Sequence, residues 1–154
     1  MTGIAVVHET HRGKFSFALH VTERFLRANP ELRIGADFSH WCNVANSLLD
    51  DQPAALDLAI SRADHIHARL GFAEGPQIPD QRAAEWAAAL NRHLSWWDRI
   101  VERARDEGRE YLCITPEFRL YLYMTIMPGS QQPIADQWAI NVFMKDLLKT
   151  RYGA

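Results

Sequence analysis

Short apolar runs alternate with amphipathic stretches along this chain, a pattern that predicts βα units on a parallel sheet. The first run, Ile4-Ala5-Val6-Val7, ends in His8-Glu9-Thr10-His11-Arg12. A helix is expected from about Ser16, with Phe17, Val21 and Phe25 on one face, ending before Asn29-Pro30. The second run, Leu32-Arg33-Ile34-Gly35-Ala36, ends in Asp37-Phe38-Ser39-His40. Asp51 and Pro53 then suit a helix start, with Leu56, Ile60 and Ala63 as its buried stripe. The third run, from Asp64 to Leu70, is a weaker strand that enters a loop punctuated by Gly71, Gly75, Pro76 and Pro79. The longest helix should run from about Arg82 to Glu107, burying Trp86, Leu90, Leu94, Trp97, Val101 and Ala104, with Gly108 as its stop. The fourth run, Tyr111-Leu112-Cys113-Ile114-Thr115, ends in Pro116-Glu117-Phe118. Pro133 opens a last helix through Trp138, Ile140, Phe143, Met144, Leu147 and Leu148. These are four βα units with no linker between them, so residues 1–154 read as a single domain.

Alternation within the strands sharpens the picture, because successive side chains point to opposite faces. If Glu9 faces inward on a curved sheet, so do Ala5 and Val7; Asp37 brings Gly35 and Arg33, His67 brings His65, and Glu117 brings Thr115 and Cys113. The opposite face reads Ile4, Val6, Leu32, Ile34, Ala36, Ile66, Ala68, Leu112, Ile114. A flat doubly wound sheet would want both faces apolar. One apolar face and one small or polar face, ending in ionisable groups, fit a sector of a barrel.

Composition narrows the function classes. The 154 residues are 47% hydrophobic and 23% charged, with a formal charge of -2, so the chain is globular and carries no electrostatic footprint for nucleic acid or an anionic membrane. It contains no membrane-length apolar run and no signal peptide pattern. Cys42 and Cys113 cannot staple a fold of this size; as small buried hydrophobes they suit a reducing cytoplasm.

Five of the seven histidines lie near a strand terminus, namely His8, His11, His40, His65 and His67. Parallel strands place their C-terminal ends on one rim, where βα barrels assemble their sites, so Glu9, Asp37, His67 and Glu117 should converge there. An acidic residue at one strand end is ordinarily a loop solvator or a helix cap. His65 reads as a hydrogen-bonded interior residue, His8 as structural, and His20 and His93 as helix residues without chemistry. The coincidence across four strands is what points to a metal. Three gathered carboxylates repel unless neutralised, and a divalent cation removes that cost. Three oxygen donors and one imidazole favour Mn²⁺ or another octahedral ion, with Mg²⁺, Co²⁺ or Zn²⁺ also compatible.

His8-Glu9-Thr10-His11-Arg12, Asp37-Phe38-Ser39-His40-Trp41, His65-Ile66-His67 and Thr115-Pro116-Glu117-Phe118 resemble motifs of the xylose isomerase-like superfamily of TIM barrels, its sugar-phosphate isomerase/epimerase members above all. The resemblance covers nearly the whole chain and corresponds to strands five to eight of the family barrel. It implies that Glu9, Asp37, His67 and Glu117 bind one metal, that Glu9 and Glu117 act as acid and base through an enediolate, and that His40 holds a substrate hydroxyl. His11 and Arg12, in the first motif, are grouped with His40 in substrate binding. Two departures stand out. The sugar epimerases place a substrate-binding arginine where this chain has Ala73, and the nuclease branch places an Asp-x-His pair where Asp80-Gln81-Arg82 lacks the second ligand. A three-zinc nuclease site is therefore not expected.

A whole barrel needs about 250 residues, so this chain reads as a (βα)4 half-barrel. With Met1 only three residues ahead of the first run, no N-terminal half of its own is expected. Its open edges and concave face should then pair in a homodimer of eight strands. Leu120–Met127 should cover an edge or join that interface. The leading functional expectation is a metal-dependent sugar or sugar-phosphate isomerase/epimerase; the alternative is a non-catalytic half-barrel, an evolutionary or engineered fragment, that retains the fold with or without metal binding.

Overall fold

Four strands that each bury one face need helices on that side only, and the chain is arranged accordingly. The computed structural model describes residues 6–153. Its strands are β1 (His8–Glu9), β2 (Ile34–Ala36), β3 (Ala63–Ala68) and β4 (Cys113–Pro116), and its helices α1 (Leu19–Ala28), α2 (Phe38–Ala45), α3 (Pro53–Ile60), α4 (Ala87–Asp106) and α5 (Gln137–Tyr152). The sheet is wholly parallel in the order β1-β2-β3-β4. Sequential neighbours joined by helical crossovers are what a barrel sector requires. Of the first predicted run, Ile4 and Ala5 lie outside the described residues. Among the described residues, no helix is long and apolar enough to cross a membrane.

The expected alternation holds in the middle of the sheet. Ile34, Ala36, Ile66 and Ala68 are fully buried on the helix side, in a core with Phe38, Trp41, Trp96, Trp97 and Ile100. On the other side Gly35 pairs in register with Glu9 and His65. At the two outer strands the apolar face is only partly covered. Val6 is 66% exposed, against the expectation for it, and Leu112 and Ile114 line a cavity of about 360 Å³ between α4 and α5. Cys113, expected to be buried, is exposed on β4 because no strand lies beyond it, whereas Cys42 is buried in α2.

Several elements differ from the periodicity. The chain is extended at Ala18, so α1 starts after Phe17 and its buried stripe is Leu19, Thr22 and Leu26. Phe17 and Phe25 are exposed; Phe25 meets Phe15, which in turn meets the ring of the exposed His8. The segment after Asp37, read as a strand end, is the start of α2. Helix α5 begins four residues beyond Pro133, after an N-cap in which the Asp136 carboxylate accepts from the Ala139 N–H; it buries Ile140, Met144 and Leu148 but leaves Trp138 and Phe143 exposed. Gly108 takes the expected left-handed conformation after α4, with φ of 65°. At Gly71 a Cβ would stand 2.4 Å from the Ser39 carbonyl, so glycine is required for the loop after β3 to pass α2.

That loop is tied to α4 by His93, which is wholly buried against Trp96 and Trp97. Its Nδ1 donates to the Ala89 carbonyl, and its Nε2 accepts from the Gly71 N–H. Burial brings its pKa down from 6.5 to about 4. The unfolded chain therefore takes up the proton first, and stability is complete above 6.5 and lost as pH falls toward 4. We expect this residue alone to remove about 3 kcal/mol across that interval. Urea unfolding should show a shallower decline in His93→Leu, which is less stable at neutral pH; equal slopes in both proteins would contradict the assignment.

Candidate metal centre

The ends of the parallel strands deliver their ionisable groups to one place. Glu9 closes β1, Asp37 follows β2 at the head of α2, His67 lies near the end of β3, and Glu117 follows β4. One potential ligand atom from each lies within 4.8 Å of the others. All four residues expected at the metal are thus brought together. The floor between them is Gly35, where an added Cβ would sit 3.7 Å from the Glu9 Cα and 3.8 Å from the His67 Nε2.

Asp37 is the most constrained of the set and has no exposure to water. Its backbone N–H donates to the buried Thr10 hydroxyl at 2.7 Å, while Ser39 donates to its carboxylate. The decisive partner is Arg69, only 1% exposed, which donates through Nη2 to the same carboxylate and through Nε to Ser39 Oγ at 3.2 Å. Burial pushes the Asp37 carboxyl up to about 6 against the pull of Arg69 and Ser39.

Glu117 hydrogen-bonds His67 Nδ1 and accepts from Arg119 Nε at 2.9 Å. Burial works against its charge, but those two partners outweigh it and bring its carboxyl down to about 2. Burial likewise disfavours the His67 cation, yet Glu117, Asp37 and Glu9 together raise its pKa. Glu9 pairs with Lys14 and lies 3.8 Å from His67 Nδ1. His65, as expected, is hydrogen-bonded rather than part of the ligand set, with Nε2 2.9 Å from the Thr115 hydroxyl.

The three residues expected at the substrate are gathered beside this cluster. His11 and His40 have ring centroids 4.1 Å apart, and Arg12 lies over the ring of Tyr123, 5.6 Å from its centre. Burial lowers the pKa of both histidines, so they act as neutral imidazoles near neutral pH.

Lys14, Arg69, Arg119 and Tyr123 escape the reading of the sequence. They change one expectation: the carboxylates have cationic partners from the chain itself, so repulsion alone does not demand a metal. Strand alternation carried a signal for two of them, since Arg69 continues the inward series His65, His67 and Arg119 continues Thr115, Glu117. Tyr123 had none, because it reaches the site from an irregular segment. The donor set nevertheless fits a divalent ion of hard to borderline character, with three carboxylates and one imidazole from four separate segments. No family model matches this chain, and no curated protein or solved structure matches it either.

Removing Arg69 leaves Asp37 buried without its cation. We expect Arg69→Met to lose about 3 kcal/mol at pH 7. The loss should shrink toward pH 5, because without Arg69 the Asp37 carboxyl rises beyond 6 and holds its proton over more of that interval than the intact protein does. Urea denaturation at the two pH values checks this, and an equal loss at both would contradict it.

Proposed function

We propose that the chain is the catalytic half of a metal-dependent sugar or sugar-phosphate isomerase/epimerase of the xylose isomerase-like superfamily. The observation that carries the proposal is the convergence of Glu9, Asp37, His67 and Glu117 from four strand ends within 4.8 Å. In this reading those four residues hold one divalent ion, with Mn²⁺ favoured by the oxygen-rich donors. The ion's contribution is to stabilise negative charge on a substrate oxygen while a neighbouring C–H is deprotonated.

The protein's part is proton transfer and positioning. Glu9 ends β1 and Glu117 follows β4, and their carboxylates meet in one cluster, so in this reading both reach a substrate held there. One takes the proton as the enediolate forms, and the other returns a proton at the adjacent or opposite position. Glu117, held near 2 by His67 and Arg119, is ionised but weakly basic, so loosening either contact raises its power as a base. Arg119 approaches Glu117 from solvent, with its side chain 61% exposed, as Lys14 approaches Glu9 at 48%, whereas Arg69 is buried.

The concave face supports assembly as part of the same proposal. β1 and β4 are both sheet edges, and exposed apolar residues adjoin each in the chain, Val6 before β1 and Tyr111 before β4. A second copy would close eight strands, remove both edges and bring two metal sites to one rim. The unpaired thiols Cys42 and Cys113 suit action in a reducing cytoplasm.

Incubating the Mn²⁺-loaded protein with ketoses and ketose phosphates in deuterium oxide should place solvent deuterium on substrate carbon, with Glu9→Gln reducing the rate at least about a hundredfold. Light scattering on the same sample should give twice the chain mass. Silence across the panel would favour a non-catalytic half-barrel that keeps the fold, a reading supported by the cationic partner that each carboxylate already has.

A further inference from the structure

Two buried N–H donors beside the metal ligands lack an acceptor. Arg69 uses Nε on Ser39 and Nη2 on Asp37 and on His40 Nε2, the last at 2.9 Å, while its Nη1 is unpartnered. Arginine offers only donors, so His40 Nε2 must accept and the neutral ring carries its proton on Nδ1. That Nδ1 is also unpartnered, and His40 is wholly buried. Leaving such groups without an acceptor is costly, so each calls for an explanation, a bound ligand among them.

What covers them is an aromatic ring. Tyr123 lies with its centroid 4.4 Å from the Arg69 Cζ and 6.0 Å from the His40 ring. Its π-face attracts the guanidinium but gives the two N–H groups no lone pair. A third donor is tied up by the same residue: Gly13 N–H donates to His11 Nδ1, so His11 Nε2 carries the proton and donates to the Tyr123 hydroxyl at 3.3 Å. Arg12 adds an exposed positive charge over the ring. Tyr123 belongs to a connection whose neighbours Tyr121 and Leu122 are each 73% exposed, with Met124 as its buried anchor.

The geometry points to a substrate oxyanion subsite, formed by Arg69, His40, His11 and Arg12, over which Tyr123 is the displaceable cover. The inference rests on the rim being a substrate site and deepens that reading by giving the substrate a negative group. The common chemistry is a phosphate or carboxylate, whose several lone pairs can accept from converging N–H donors. Charge balance supports it. The three carboxylates are matched by Lys14, Arg69 and Arg119. Arg12 has no carboxylate partner among the described residues, so it leaves the rim with a positive charge that a neutral sugar does not offset.

The test is calorimetric titration of the metal-free chain with inorganic phosphate, acetate and neutral fructose, with Mn²⁺ retention measured on parallel samples. Phosphate or acetate should bind and fructose should not, the tighter of the two identifying the group. Arg12→Gln, at an exposed position, should weaken anion binding about tenfold, as should Arg69→Lys if it folds. Tyr123→Ala should tighten it about fivefold, since no cation–π contact has to be broken. Failure of both anions to bind, equal binding by Arg12→Gln, or no tightening in Tyr123→Ala would overturn the proposal. Mn²⁺ retained without anion binding removes this inference alone; anion binding by a chain that retains no Mn²⁺ removes only the metal reading.

Discussion

Parallel strands that pair with their sequence neighbours have one rim on which to end, and every second side chain at that rim shares a side. From this follow the apolar layer of Ile34, Ala36, Ile66 and Ala68 under the helices and the meeting of Glu9, Asp37, His67 and Glu117 on the other side. Gly35 keeps the floor between them free of a side chain. Helices α3 and α4 bring the chain back to the start of the next strand, and the buried His93 fastens the loop after β3 to α4.

Gathering three carboxylates has an electrostatic cost that the fold offsets in two different ways. At Asp37 the compensation is permanent, because Arg69 is as deeply buried as the acid and is itself held by Ser39 and His40. At Glu9 and Glu117 it comes from the surface, because Lys14 and Arg119 reach in from solvent. Under the proposed function, an ion or a substrate would replace these outer cations while the inner pair stays buried. An aromatic cover over that pair keeps water from a guanidinium whose donors are not all used.

Much of this was legible in the sequence, and the limits have physical causes. The inner strands were readable because β-branched and small apolar residues alternate with polar ones over segments with both neighbours present. The convergence of Glu9, Asp37, His67 and Glu117 was readable because strand ends mark the rim, whatever lies between them. Helix α1 was misjudged because spacing alone cannot tell that the chain is still extended at Ala18, which shifts the buried stripe to Leu19, Thr22 and Leu26. Helix α2 was missed because Asp37-Phe38-Ser39-His40 also reads as a strand leaving the sheet. Lys14 and Tyr123 were not legible, since their partners are set by the tertiary fold rather than by period.

The two sheet edges carry the remaining tension in the architecture, with Val6 exposed and the Leu112–Ile114 face only partly filled beneath α4 and α5. Further strands on both edges would relieve it and wall the rim. The account itself stands on the four strand-end groups acting as one ligand set. Titration of chelator-treated protein with Mn²⁺, followed by electron paramagnetic resonance, tests this most directly. One ion per chain should bind, with affinity falling at least about tenfold in each of Glu9→Gln, Asp37→Asn, His67→Ala and Glu117→Gln. Weak binding that none of these substitutions alters would contradict it.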